Sequence, residues 1–217
     1  MNLPDVLFED NHLLVVNKCA GWLTQPNDSD DLNLEDLCKE YLKKKYQKPG
    51  NVFLHPIHRL DRPVSGVLVL ARTSKALSRL QSSMRNKDTR KTYYALVENP
   101  PPSSEGVLEN YLFHDEHRAV IVKESALHAK KARLQYKVLT KKENGTLLEI
   151  DLETGRYHQI RVQLAAIGCP VVGDAKYGSR IPWPEKTIGL HHICMQIPHP
   201  VSLKMLTLQA PLPPWAI

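Results

Sequence analysis

Short apolar runs separated by turn-forming residues dominate the chain and predict a structure rich in strands. Early runs occupy residues 13–16, 66–71 and 93–97. Four more follow at residues 107–113, 119–122, 132–139 and 146–152. Asn144-Gly145 stands between the last two of these and predicts a hairpin. Further short strands are expected around Ile193 and Leu206.

Three segments have apolar residues at helical spacing. The first, residues 34–47, has acidic residues in its first turn and lysines near its end, as the helix dipole favours. The second begins near a capping Thr73 or Ser74 and places Ala76, Leu77, Leu80 and Met84 inward. The third is predicted over 156–167, with Gly168 as its stop and with His158 and Arg161 on one face.

Strands outnumber helices, and the short connections suit hairpins. This pattern predicts an α+β fold around a large, mainly antiparallel sheet flanked by helices and loops. The sequence has no internal repeat and no convincing linker, so residues 1–217 are interpreted as a single domain.

Composition narrows the class of protein only modestly. Lys and Arg total 29 against 23 Asp and Glu, a net charge of +6 that weakly favours a nucleic-acid partner. The four cysteines form no Cys-x-x-Cys pair and are expected to be buried free thiols in a reducing compartment. With no signal-peptide pattern and no run of about 18 apolar residues, a cytoplasmic location without membrane contact is expected.

Several common chemistries lack their motifs. The sequence contains no Gly-x-Gly-x-x-Gly, no Walker lysine loop and no Gly-x-Ser-x-Gly, so we expect no nucleotide cofactor and no α/β-hydrolase. His55 and His58, and the pair His191-His192, have no accompanying carboxylate or thiolate set. No metal site is therefore predicted.

The segment His58-Arg-Leu-Asp-Arg-Pro-Val-Ser-Gly66 is the most informative stretch of the chain. It places Asp61 between Arg59 and Arg62, which keep an acid ionised. An ionised acid there can act as nucleophile or base while the arginines hold phosphate. Taken alone, the cluster favours the simpler interpretation of a surface ion pair in a loop.

Three other polar segments leave two interpretations open. The basic, aperiodic stretch from Arg85 to Lys91 is either a mobile loop that contacts phosphate groups of a nucleic acid or a solvated loop with no role. Thr154-Gly-Arg-Tyr-His-Gln-Ile-Arg161 is either functional or a helix with a polar start. Gly173-Asp-Ala-Lys-Tyr-Gly178 is either functional or an ordinary surface loop.

Together, in this order, the motifs resemble those of the RluA-type family of RNA pseudouridine synthases, and the resemblance spans most of the chain. The matching segments are Val16-Asn-Lys-Cys-Ala-Gly21, His58-Arg-Leu-Asp61 with Ser65-Gly66, Lys91-Thr-Tyr-Tyr-Ala-Leu-Val97, Thr154 to Arg161, Gly168-Cys-Pro-Val-Val-Gly-Asp174 with Tyr177-Gly178, Leu190-His191 and His199-Pro200. The chain departs from the family pattern at Cys19, Val64 and His192. The small RNA-binding domain that precedes the catalytic domain in many relatives is not recognisable.

The resemblance implies the pseudouridine synthase fold, with an active-site cleft across the middle of the sheet. It also implies isomerisation of uridine to pseudouridine in rRNA or tRNA by a monomer without cofactor or metal. Asp61 would be the catalytic acid-base or nucleophilic residue, Arg161 would pair with it, and Tyr93 would stack on the uracil. Arg59 would fill the gap left by the flipped nucleotide.

The remaining implied substrate-binding residues are Arg62, His58, Arg156 and His158.

Two alternatives stay open at this point. One is a non-catalytic RNA-binding module on the same scaffold, which predicts loss of Asp61 or Tyr93, and both are present. The other is a hydrolase that cleaves the base from the sugar. The sequence does not identify the RNA, the uridine position or the step that Asp61 carries out.

Overall fold

The computed structural model of the 217-residue chain describes residues 5–26 and 33–217. The polar, acidic residues 27–31 predict a loop, and they lie outside the described residues. The chain forms two compact units. The first unit comprises residues 1–89 and 192–211, and the second comprises residues 90–191 and 212–217. That residues 1–217 act as one catalytic domain stays a prediction.

The first unit is built on a sheet with two helices. Its elements are β1 (Val6–Glu9), β2 (Leu13–Lys18), α1 (Leu34–Lys45), β3 (His55–Pro56), β4 (Ser65–Ala71), α2 (Ser74–Arg85), residues 192–198 of β10 (Leu190–Pro198) and β11 (Met205–Gln209). The strand order is β1-β2-β4-β10, with β3 beside β4 and β11 beside β10. Alternate residues of β2 and β4, such as Val15 and Val69, pack with Leu80 of α2 in one core.

The second unit is an antiparallel sheet covered by one helix. Its elements are β5 (Arg90–Val97), β6 (Glu105–Asp115), β7 (Arg118–Val122), β8 (Lys130–Lys142), β9 (Gly145–Leu152) and α3 (Gln159–Ala166). The order is β5-β9-β8-β6-β7, and each of these pairings is antiparallel. Val162 of α3 packs against Leu112, Ala119 and Ala132. The predicted α+β class with a mainly antiparallel sheet is confirmed.

The predicted helix starts hold for α1 and α2. The side chain of Asn33 caps α1 by accepting from the N–H of Asp36 at 2.9 Å, and Thr73 caps α2 by accepting from Ala76 N at 3.1 Å. The predicted hairpin is also confirmed: Lys142 pairs with Gly145, so Glu143 and Asn144 form the turn.

Two local predictions are wrong. The third helix begins at Gln159 rather than at residue 156. His158 has a left-handed backbone (φ 50°), which a right-handed helix cannot include, so the helix starts one residue later. His158 and Arg161 therefore share no helical face. The loop predicted at 85–91 shrinks to residues 86–89, since Arg85 belongs to α2 and Lys91 is a buried residue of β5.

The cysteine prediction holds in part. The four cysteines, all within the described residues, form no disulfide; Cys38 and Cys169 are buried, whereas Cys19 is exposed. Within residues 5–26 and 33–217, none of the helices is long and apolar enough to cross a bilayer.

Candidate active site

Asp61 lies on the loop between β3 and β4, in the first unit, and its side chain is partly buried. The loop closes on itself, because the N–H of Val64 donates to the Asp61 carbonyl at 3.0 Å. Asp61 therefore stands on a tight turn immediately before a buried strand. The turn restricts the backbone at Asp61 and so fixes where its side chain leaves the chain.

The segment that follows β2 anchors the residues on both sides of Asp61. Thr24 Oγ1 donates to the Leu60 carbonyl at 2.9 Å and accepts from the Leu60 N–H at 3.2 Å. The N–H of Gly21 donates to the Arg62 carbonyl at 2.8 Å. The backbone is thus held one residue before and one residue after the acid.

Lys18, at the end of β2, provides a third anchor. Its side chain is fully buried, and Nζ donates to the carbonyls of Cys19, Arg62 and Val64 at 3.0, 3.2 and 2.7 Å. These contacts use all three ammonium protons. Burial lowers the pKa of Lys18 to about 7, and the negative charge of Asp61 partly opposes that shift.

Gly66 allows β4 to start beside β10. Its φ is +114°, and a Cβ there would lie 2.2 Å from the His192 carbonyl oxygen. Only glycine fits both the conformation and the contact. The backbone conformation and the close approach of His192 therefore explain the glycine of the Ser65-Gly66 motif.

Three predicted substrate-binding residues flank Asp61, and two of them make structural contacts. His58 Nε2 accepts from the N–H of Val69 at 3.3 Å, and its ring lies edge-on to His192, with centroids 5.4 Å apart. The Nε of Arg62 donates to the Gly21 carbonyl at 3.0 Å. Arg59, by contrast, is exposed.

Arg161 lies in the second unit, on the first turn of α3, where it is 4% exposed. Its Nε and Nη2 donate to the two carboxylate oxygens of Asp174 at 2.6 and 2.8 Å. Asp174 is 2% exposed, so this is a buried, two-point ion pair. The contact accounts for two of the five N–H donors of a guanidinium.

The ring of Tyr177 lies against this ion pair, and His158 contacts Tyr177. The guanidinium carbon of Arg161 lies 5.0 Å from the centroid of Tyr177. The hydroxyl of Tyr177 lies 2.9 Å from His158 Nδ1 and accepts from the Ala119 N–H at 2.7 Å. Burial, helped by the charges of Arg161 and Lys176, lowers the pKa of His158 to about 3. His158 is therefore neutral at pH 7.

Tyr93 and Arg156 also belong to the second unit. Tyr93 pairs with Ile150 across β5 and β9 and is 6% exposed. Arg156 is exposed, and its Nε donates to the Lys131 carbonyl at 2.9 Å. The pairing of Asp61 with Arg161 and the stacking role of Tyr93 stay predictions.

Sequence reasoning assigned no role to Lys18, Thr24 or Asp174. Lys18 and Asp174 lie within motifs that the resemblance quotes, which was the available signal. Nothing local marks Thr24, because its partner Leu60 is 36 residues away.

Comparisons with known proteins agree on one family. The family model described as RNA pseudouridylate synthase matches residues 12–166. The chain is 34% identical over 213 residues to "Uncharacterized RNA pseudouridine synthase YhcT" of Bacillus subtilis (strain 168), covering 96% of this chain and 68% of that protein. It is 33% identical over 221 residues to "Ribosomal large subunit pseudouridine synthase D" of Nitrosomonas europaea, covering 96% and 62%.

A third relative, "Ribosomal large subunit pseudouridine synthase C" of Vibrio cholerae, is 32% identical over 213 residues, with 95% and 65% covered. The chain therefore spans about two thirds of the length of these relatives. The solved structure "Human RNA Pseudouridylate Synthase Domain Containing 4" superposes with a TM-score of 0.80 at 26% identity, covering 97% of this chain and 89% of that one. This confirms the predicted pseudouridine synthase fold.

Proposed function

Because the chain belongs to the RNA pseudouridylate synthase family, we propose that it converts specific uridines in structured RNA to pseudouridine. The observation that carries this proposal is the family match over residues 12–166, which includes the whole anchored loop around Asp61. A catalytic acid needs a fixed position, and three backbone anchors provide one here.

The reaction exchanges one bond to the ribose for another. The bond between C1′ and the base N1 breaks, the uracil turns, and C5 bonds to C1′. The C5 proton is released and N1 gains a proton, so no oxidant and no second substrate is consumed. A carboxylate suits this chemistry, because it can attack the sugar or remove a proton beside it.

We assign the acid to Asp61 and its charge partner to Arg161. A carboxylate beside a guanidinium remains ionised at neutral pH. The two-point contact with Asp174 fixes the direction of the guanidinium. In this assignment Asp61 accepts from Arg161 as well, and a site without water makes that contact stronger.

Tyr93 and the arginines complete the proposed site. A tyrosine ring can stack on the uracil that leaves the RNA stack. Arg59, which is exposed, fills the resulting gap, and Arg156 contacts phosphate. His58, Arg62 and His158 act on the substrate indirectly, since each of them holds neighbouring protein groups.

Ribosomal RNA is the first substrate to test. The relatives from Nitrosomonas and Vibrio are named as ribosomal large-subunit enzymes, although transfer RNA fits the same chemistry. We propose that the chain acts as a monomer. Mapping pseudouridine in cells with and without the protein identifies the modified position.

Asp61→Asn tests the catalytic assignment. The substitution keeps the shape of the side chain and removes its charge. We expect turnover to fall by several orders of magnitude, roughly the effect of removing a catalytic nucleophile, while RNA affinity is retained. Turnover is measured as tritium release from RNA labelled at uracil C5, and Asp88→Asn is the control because Asp88 is exposed on the α2–β5 loop.

The outcomes of this assay distinguish the proposed enzyme from the two alternative functions. Substantial turnover by Asp61→Asn refutes the assignment of Asp61. Release of free uracil by the native protein identifies a base-cleaving hydrolase instead. RNA binding without any change to uridine identifies a non-catalytic module.

Arg59→Ala tests base flipping. Extraction of a stacked base costs a few kcal/mol, and least for an unpaired one. The variant should therefore lose more kcat/KM on a stem-loop than on a short unstructured RNA containing the same uridine. Arg180→Ala, which removes another exposed arginine, is the control. Equal losses on both RNAs exclude the flipping role.

A further inference from the structure

The second unit contains a concave site that shares only Arg156 with the residues assigned to the proposed reaction. Its cavity volume is about 370 Å³, within the range of sites that bind one small molecule. The lining includes Phe113, His114, His128, Lys130, Arg156 and Tyr157. None of the described residues that line it is acidic. The two with the longest side chains, Lys130 and Arg156, are cations.

Stacked rings form one wall of this cavity. Tyr157 lies parallel to His158, with centroids 3.9 Å apart and planes 18° apart. His114 packs against Tyr157 at 4.0 Å, with its plane tilted by 42°. The column therefore runs from the exposed His114 inward to the buried His158. The neutral state of His158 allows the column to pack without charge repulsion from Arg161.

Two cations that line the cavity, Arg156 and Lys130, are exposed and can contact a phosphate group. The contact between Arg156 Nε and the Lys131 carbonyl at 2.9 Å limits the motion of the guanidinium. Lys130 begins β8 and is exposed. A flat outer ring next to two cations complements a base joined to a phosphate.

We propose that this cavity binds one unpaired nucleotide of the substrate RNA, other than the uridine that reacts. The base stacks on His114, and the phosphate contacts Arg156 and Lys130. This proposal rests on the proposed function for the identity of the ligand, since it takes RNA as the substrate. A nucleotide held here adds affinity for RNAs with an unpaired residue near the target, and it does not take part in the chemistry.

Binding of hexauridylate to the full chain tests the site directly. Ring signals of His114 in ¹H–¹³C NMR spectra should shift on addition of hexauridylate, whereas those of His117 on the adjacent hairpin turn should not. His117 is exposed and does not line the cavity. A duplex of the same length lacks unpaired bases, so it should leave His114 unchanged. Equal shifts with both RNAs, or none at His114, overturn the proposal.

Variants separate stacking from charge. We expect His114→Ala to weaken hexauridylate binding about 10-fold, within the range for loss of one stacked base. Tyr157→Phe keeps the ring and should bind as the native chain does, while Tyr157→Ala should resemble His114→Ala. His117→Ala is the matched control. Loss of affinity in His117→Ala as large as in His114→Ala contradicts a stacking site.

The salt dependence separates a nucleotide site from a merely basic surface. Arg156→Gln should reduce the slope of log affinity against log salt, whereas His114→Ala should leave the slope unchanged. A reduced slope in His114→Ala refutes stacking on this ring.

Turnover on a stem-loop, measured in parallel, keeps the two proposals apart. If the native chain forms pseudouridine and His114→Ala binds hexauridylate as tightly as the native chain does, the nucleotide subsite is refuted and the proposed function stands. If His114→Ala loses affinity for hexauridylate but the native chain forms no pseudouridine, the proposed function is refuted and the nucleotide subsite stands.

Discussion

The loop around Asp61 and the surroundings of Arg161 are held in place in different ways. In the first unit, backbone carbonyls and N–H groups take part in every anchor: Lys18, Gly21 and Thr24 all bond to main-chain atoms. In the second unit, Arg161 is held by the Asp174 side chain and the Tyr177 ring. The first arrangement fixes where the chain runs, and the second fixes where a charge points.

The difference bears on which substitutions each region tolerates. A loop held through its backbone keeps its path when its own exposed side chains change, so Arg59 can vary without unfolding it. A buried ion pair depends on both side chains, because removal of one leaves the other charged and desolvated. The following variants test this contrast.

Arg161→Met should have the largest effect on stability. It leaves the buried Asp174 carboxylate without its two-point partner, which typically costs about 3–5 kcal/mol. Urea unfolding measures the loss. Adding Asp174→Asn should restore part of the stability but not the turnover, since the charge proposed to act on Asp61 is still missing. Recovery of turnover in the double variant contradicts that role.

Lys18→Met should come next, at about 3 kcal/mol. Three carbonyls, of which that of Val64 is buried, lose their donor, while removal of the buried charge relieves some desolvation cost. The depressed pKa also gives a pH signature. Between pH 7 and 10.5 the unfolded chain holds more protons on Lys18 than the folded chain does, so native stability rises with pH.

Unfolding of the native chain and of Lys18→Met across this pH range measures the signature. The stability difference between them should grow in favour of the native chain as pH increases, and a constant difference excludes the depressed pKa.

Thr24→Val should cost about 1–2 kcal/mol, since it removes a hydroxyl that both donates to and accepts from Leu60. Thr24→Ser keeps the hydroxyl and is the control. If the loop position matters for catalysis, kcat should fall in Thr24→Val with little change in KM for RNA. Equal behaviour of the Val and Ser variants would falsify the anchoring role.

Among these variants, His158→Gln should change the free energy of unfolding least at pH 7. A difference from the native chain should develop as the pH falls below 6.5. The folded pKa of His158 is about 3, below the ordinary value of 6.5. Below pH 6.5 the unfolded chain takes up a proton that the folded chain does not, so native stability falls as the pH decreases from 6.5 toward 3. The variant should lose less stability than the native chain over this window. Parallel acid curves refute the assignment.

The sequence by itself determined the elements whose cause is local. Short apolar runs located the strands other than β1 and β3, Thr73 marked the start of α2, and Asn144-Gly145 marked a hairpin. The order of motifs identified the family and singled out Asp61, Tyr93 and Arg161. These signals are readable because strand pleat, capping and turn geometry act over a few neighbouring residues.

Tertiary structure alone decided the partners. Arg161 selects Asp174, 13 residues onward, and Lys18 selects carbonyls 44 and 46 residues away. His158 takes a left-handed conformation next to Tyr157 and Tyr177, which moves the start of α3. Such choices depend on which groups burial brings together without water, and helical or strand periodicity carries no information about that.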